Sequence, residues 1–438
     1  MSKRFLLAAL AVILVLPSLA PANGLNLNGL GSRAQAMGGA FVGIANDFSA
    51  VFWNPAGAAG FRKEMFGFYA MDLIPTATYR LPLLYATVLP GPEIQVAKTK
   101  TSHYLGGLAA YYKPLSSKVV VGLGVGTPSG LGTMWDGEDF TPITGGTVYD
   151  WSSKVGVISI SPLVAVKLSD IVSVGATFNL NYGMFSLKMP AGTVTVGEEP
   201  EIPIPPGPLD LGQYEENMNG WGIGATFGVL VTPSDKLSFG LTVRTPSTVS
   251  FSGTANMPTL PVYELPGSSD LKRKISWPLW IAGGVSFRPV PHLLLSADVH
   301  WTQWSNLESI TTDYLDSVWA ALTAAGGMDV RVLDWKDATQ LRFGAEYTLN
   351  PSTVLRAGYY HDPAPGPLST LNVLLPSHTF NSFALGVGKT ISDLHLDFGL
   401  EYLMGDTRTA VIGLPAEGMP GTYGMKIVVP TLSVSYEF

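Results

Sequence analysis

Apolar and polar residues alternate one by one through most of this chain, and a period of two is the signature of strands with two unlike faces. In IVSVGATFNLNY, Val172, Val174, Ala176, Phe178, Leu180 and Tyr182 share one face, and Ser173, Gly175, Thr177, Asn179 and Asn181 share the other. LSFGLTVR sets Leu237, Phe239, Leu241 and Val243 against Ser238, Gly240, Thr242 and Arg244. LHLDFGLEY and the closing TLSVSYEF repeat the pattern. The chain is 46% hydrophobic, but beyond its N-terminus it holds no apolar run long enough for a membrane helix. Its apolar residues are dispersed at short period.

A soluble sandwich also alternates, but its turns fall every 8–12 residues and its apolar face needs a second sheet. Here the repeats run about ten residues or more, close to the 9–11 of a tilted membrane strand. Short turns fall at Pro114 to Ser117, Ser169-Asp170, Thr232 to Asp235, Pro289 to Pro291, Asn350 to Ser352 and Ser392-Asp393. Between them lie long Gly/Pro-rich segments such as GEEPEIPIPPGPLDLG and HDPAPGPLST. Short turns on one side and long loops on the other mark an outer-membrane barrel, and closure alone removes unpaired strand edges within lipid. The fold class is therefore all-β: an antiparallel transmembrane β-barrel of about 14 strands over residues 61–438, with its polar face toward the lumen.

The N-terminus agrees with export. Lys3-Arg4, the apolar run Phe5 to Leu16 and the small residues Ala20-Pro21-Ala22 form a signal peptide over residues 1–22, with cleavage after Ala22 or after Ala20. The absence of cysteine rules out a disulfide framework. A formal net charge of −7 lacks the basic footprint that nucleic acid needs.

One stretch breaks the alternation. FVGIANDFSAVFWNPAGAAGF, Phe41 to Phe61, is rich in Ala and Gly and too polar and short to span lipid. Asp47 is placed to N-cap a short helix ending before Pro55, and Asn54 to cap the next turn with Pro55 at its first position. Residues 23–60 are thus expected to form a small helical hatch folded back into the barrel.

Gly38-Gly39-Ala40-Phe41, Asp47-x-Ser49-Ala50 and Asn54-Pro55-Ala56 occur here in order. They are followed by ISPLVAVKLSD, by WPLW…GVSFRP…ADVHWTQWS, by DWKDATQLRFGAEY and by a terminal Phe438. This set resembles the FadL-type long-chain fatty acid transporters of the Gram-negative outer membrane, which include aromatic-hydrocarbon relatives of the TodX type. The resemblance implies a 14-stranded barrel that catalyses no reaction and uses no cofactor. Cargo would be captured between extracellular loops, pass to an apolar luminal pocket and leave sideways through a gap at the third strand. Its partners would be a long-chain fatty acid or other hydrophobic small molecule, outer-membrane lipid, and the barrel-assembly machinery reading the strand that ends at Phe438.

Several residues carry this expectation. In VVVGLGVGTPSGLGTMW, Pro128 cannot donate to a ladder and is flanked by Gly126 and Gly130. On the residues alone the third strand either kinks there or ends at Gly126; the resemblance favours a kink that opens the wall. The resemblance also places Leu25 in the deep pocket, and Lys188 and Lys336 near the extracellular ends of the fifth and tenth strands, where a carboxylate would meet a cation. Where fatty acid members tend to carry Pro-Asp-x-x-Arg, this chain reads PSHTFNSF, Pro376 to Phe383, so a neutral hydrocarbon is the rival cargo. A barrel hydrolase is the remote third reading. Asp298/His300 and His395/Asp397 have the spacing of an acid–base pair, but luminal side chains that satisfy one another explain both. The six histidines show no metal-ligand spacing.

Overall fold

The computed structural model describes residues 24–81, 96–196, 207–411 and 418–438; the signal peptide expected over residues 1–22 lies outside them. Fourteen antiparallel strands close on themselves, the first pairing with the last from Met65↔Glu437 to Arg80↔Thr422. They are β1 Met65–Arg80, β2 Tyr104–Pro114, β3 Val119–Met134, β4 Ser152–Lys167, β5 Val172–Pro190 and β6 Gln213–Ser234. Three broken strands follow: β7 Leu237–Arg244 and Ser247–Asn256, β8 Ser268–Trp277 and Trp280–Val290, and β9 Leu293–Thr302 and Ser309–Tyr314. The wall ends with β10 Ala338–Asn350, β11 Thr353–Asp362, β12 Phe380–Ile391, β13 Leu394–Gly405 and β14 Gly421–Glu437. The six short turns occur close to where the sequence sets them, but Thr232 to Ser234 continue β6, which leaves Asp235-Lys236 as the bend, and Pro289-Val290 continue β8, which leaves Pro291-His292. Of the long Pro-rich loop after β5, residues 197–206 lie outside the described residues; Gly207–Asp210 pairs with Thr193–Val196 as a small hairpin.

Burial is inverted relative to a soluble sheet. Phe178 is 53% exposed while its neighbours Thr177 and Asn179 are 3% and 8% exposed, so the apolar face meets lipid and the polar face the interior. In β7 and β8 the inversion holds for the periplasmic half only. In β7, Phe239 and Leu241 point out below the break at Thr245-Pro246, whereas Val249 and Phe251 are buried inside above it. The two-residue interruption shifts the strand by one position, which swaps its faces. β8 makes the same switch at Pro278-Leu279, with Leu271 and Ile275 inward above it and Ala282 and Ser286 inward below. The extracellular half of the lumen is therefore largely apolar, the buried Arg273–Glu216 pair apart, a departure from the uniformly polar lumen that the alternation predicts.

Residues 24–60 pack against the inner wall. A short helix α1, Ser32–Ala36, touches β11 to β14. A second, α2, Ala50–Trp53, and the 3-10 turn Pro55–Gly60 lie against β3 to β6. Glycines on the wall allow this approach: a Cβ at Gly240 would collide with Val42 and Asn54, and one at Gly358 with Met37 and Gly38.

Candidate functional site

Asn54 does more than cap. Its Oδ1 accepts from Ala56 N at 3.1 Å, as a cap should, and its Nδ2 donates to Val42 O at 2.9 Å and to Val229 O on β6 at 3.0 Å. The side chain, 0% exposed, joins two parts of the N-terminal segment to the wall, with Pro55 at the first position of its turn and Ala56 buried behind it. Asp47 differs from expectation. The residue preceding α2 is Ser49, and Asp47 Oδ1 accepts from Ser49 N at 2.9 Å and Ser49 Oγ at 2.6 Å. The short Asp side chain, two positions ahead of Ser49, closes a local turn of its own and does not reach the helix N–H groups. At the periplasmic end Arg33 binds Glu346, which also holds Arg356, and Arg356 binds Asp397.

β3 runs through Pro128 and does not end at Gly126. Its pairing with β4 skips from Gly126↔Ser159 to Ser129↔Val157, a bulge at Thr127-Pro128 that spares the missing N–H. On the other edge the ladder with β2 stops at Leu108↔Gly126. The next backbone contact between these chain segments is the bond from Lys100 N to Met134 O at 2.7 Å. Roughly 25 Å of β3 at most, containing Pro128 and Gly130, thus has no ladder to β2. Thr127 Oγ1 bridges the lower end by accepting from Gly107 N at 2.9 Å. The freed Pro128 carbonyl accepts from Leu27 N at 3.1 Å.

Two cavities meet at this seam. The first has about 950 Å³ of empty space and is lined by Leu25, Leu27, Leu131, Val155 and Phe185 below the loop residues Leu374 to His378. That loop is pinned down from above: Trp135 Nε1 donates to Val373 O at 2.9 Å and Ser153 Oγ donates to Leu374 O. Its His378 is almost wholly buried, and loss of hydration lowers its pKa to about 4, so the imidazole is neutral at physiological pH. The second cavity, about 830 Å³, lies beside the seam between Gly126, Pro128 and Ser129 on one side and Arg244, Trp277 and Trp280 on the other. A thin partition separates the two cavities: Leu25 O accepts from Ser129 Oγ, which in turn accepts from Trp277 Nε1 at 3.2 Å.

Of the residues that the sequence singles out, Leu25 lines the first cavity, Gly126 and Pro128 line the second, and Gly130 lies on β3 between them. Lys188 and Lys336 line neither cavity. Lys188 pairs with Glu215 at 3.0 Å and Asp150 at 3.3 Å, and Lys336 with Asp334 at 2.7 Å. Asp298 and His300 are buried at 3.4 Å from one another, and Asp298 Oδ2 accepts from Val42 N at 2.8 Å; this carboxylate holds the N-terminal segment. Asp397 is taken by Arg356. Among the described residues no cluster of three His, Cys, Asp or Glu side chains is placed to hold a metal. Sequence reasoning put Arg244 on the luminal face but did not single it out, and it missed the breaks at Pro246 and Pro278. A proline inside a strand pattern, the signal used for Pro128, was available at both.

Comparison with known proteins agrees with this architecture. The chain is 22% identical over 432 residues to a long-chain fatty acid transport protein of Salmonella typhi, covering 92% of each chain. It is similarly 22% identical over 439 residues to the long-chain fatty acid transport protein of Escherichia coli K12, covering 92% of this chain and 93% of that one. Among solved structures, a FadL homologue of Pseudomonas aeruginosa superposes with a TM-score of 0.75 at 17% identity, over 95% of this chain and 100% of that one. The toluene transporter TodX of P. putida gives 0.70 at 15% identity, over 94% and 99%. The family model described as outer membrane protein transport protein (OMPP1/FadL/TodX) matches residues 13–438. This chain belongs to that family of outer-membrane transport proteins.

Proposed function

We propose that the barrel takes up long-chain fatty acids, with capture in the first cavity, passage to the second and lateral release into the bilayer between β2 and β3. Residues 23–60 act as the hatch, with Asp47 shaping the turn and Asn54, Pro55 and Ala56 forming the contact that holds it to the wall. The kink at Gly126, Pro128 and Gly130 provides the exit, Leu25 the floor of the capture pocket, and Lys188 and Lys336 charged rims. Folding and insertion would rely on assembly machinery that reads the terminal strand ending at Phe438.

The observation that carries the reading is the unpaired β2–β3 seam beside an apolar cavity. Each buried CH₂ is worth about 0.8 kcal/mol, so a path from apolar pocket to lipid avoids the loss an aqueous exit would impose. Neutral hydrocarbons are the second reading, favoured by the first cavity itself: its walls are largely apolar, its histidine is neutral, and its two charged lining residues, Lys154 and Asp362, are of opposite sign. Uptake of radiolabelled oleate and of a labelled alkane by cells expressing the protein tests the proposal. Uptake of neither cargo above that of barrel-free cells would refute it.

A further inference from the structure

The second cavity contains a charge without a counter-charge. Arg244 ends the lower half of β7, just before the break that reverses the strand. Its guanidinium lies between two aromatic rings, 4.6 Å from the Phe52 centroid and 4.7 Å from that of Trp280. Nη2 donates to Phe52 O at 3.0 Å, which leaves the other N–H groups of the five-donor fork to the cavity. Of the other arginines on the inner wall, Arg273 pairs with Glu216 at 2.6 Å and Arg356 with Glu346 and Asp397 at 2.8 and 2.6 Å, while Arg342, without an ion pair, is satisfied by Gln340 and by the carbonyls of Asn28 and Gly38. Among the described residues Arg244 has no ion-pair partner, and no other charged side chain lines this cavity.

The surrounding polar groups do not supply the missing acceptor. Asn179 donates to Thr226 at 3.0 Å, Asn181 donates to Ser247 at 2.8 Å, and Ser159 pairs with Ser161 at 3.1 Å. These bonds lie within β4, between β5 and β6, and between β5 and β7, and none of them engages Arg244. The opposite side of the cavity, toward the seam, is apolar, with Leu30, Leu108, Val157 and Pro128. A cationic fork held rigid by two rings, facing an apolar outlet, is complementary to a molecule with one anionic planar head and a greasy tail.

We infer that the second cavity is a carboxylate station, in which Arg244 receives the head group of a long-chain monocarboxylic acid while its tail leads through the β2–β3 seam. This deepens the uptake reading and rests on it. It assigns acid selectivity to a residue deep in the barrel, well away from the lysines of the rim. The tail enters lipid first, and the head is the last group to leave the protein.

The test uses the full-length protein in nanodiscs and a dibrominated stearic acid, whose bromines quench Trp277 and Trp280, beside its methyl ester. The ratio of acid affinity to ester affinity should fall about tenfold in Arg244→Gln, as expected for loss of a charge-assisted bidentate contact. Arg244→Lys, which keeps the charge but not the fork, should lower the ratio severalfold less, and it also serves as the readout if Arg244→Gln does not reach the heat-modifiable folded form. An unchanged ratio in both variants, or equal loss of acid and ester binding, would overturn the assignment. Wild-type protein that binds both probes equally, with no effect of Arg244→Gln, would refute the carboxylate station and leave uptake intact. Wild-type protein that binds neither would sink both.

Discussion

Replacing Asn54 by Ala should release the N-terminal segment without harming the barrel. The side chain makes three hydrogen bonds, to Val42 O, to Val229 O and from Ala56 N. Val229 belongs to β6 and keeps its strand partners Val174 and Leu241, so its loss is small. Val42 O and Ala56 N lose their side-chain partner at a site with no exposure. Each of these two buried groups left unpaired costs about 1–3 kcal/mol, so the substitution costs roughly 2–6 kcal/mol. That is about one and a half to four decades in the docked-to-undocked equilibrium. The strand ladders are untouched, so heat-modifiable migration and thermal unfolding of the barrel should stay near wild type. Single-channel recordings in planar bilayers should show bursts of ion conductance that wild type lacks. A variant as silent as wild type would mean that residues 23–60 do not close the lumen or that Asn54 does not hold them.

Three further outcomes follow from the same geometry. Acidification should loosen the loop over the first cavity: the His378 pKa is lowered from 6.5 to about 4, so the folded state resists protonation. The cost begins as pH falls below 6.5 and reaches roughly 3 kcal/mol near pH 4; proteolysis of residues 363–379 should rise over that window, and His378→Asn should flatten the profile. Trp277→Ala removes the bond to Ser129 and opens the partition, so fatty acid transfer between the cavities, followed by quenching in stopped flow, should accelerate severalfold. Lys188→Ala disrupts only exposed ion pairs, so acid binding measured by titration should change by about 1 kcal/mol or less.

The barrel was legible because membrane strands obey one rule along their whole length: lipid fixes one face as apolar, and a single residue out of phase would expose polar groups to hydrocarbon. The turns followed from Pro, Asn, Asp and Ser at strand ends. Asn54 was readable as a cap, a local relation over two residues, but its bonds to Val42 and Val229 join segments 12 and 175 positions away and leave no local trace. Asp47 failed for a related reason, since a side chain that can cap can equally close a turn of its own. Lys188 and Lys336 were plausible carboxylate partners by position alone; Glu215, Asp150 and Asp334, which occupy them, are set by register and loop path. The apolar upper lumen depends on β7 and β8 changing phase at Pro246 and Pro278. A strand read face by face treats such a break as an ending.

The central claim is that cargo leaves sideways through the β2–β3 seam, and a staple across that seam tests it most directly. A Cβ built at Gly106 lies 2.8 Å from Thr127 Oγ1 and 2.4 Å from Met71 Cε, a flexible side-chain end that must move aside, which brings a disulfide between Gly106→Cys and Thr127→Cys within reach, and the chain has no cysteine of its own to interfere. Uptake of radiolabelled oleate should fall sharply in oxidised cells and recover on addition of reductant, with folded barrel at wild-type abundance in both conditions. Wild-type uptake through a fully stapled barrel would contradict the account and place the exit along the barrel axis.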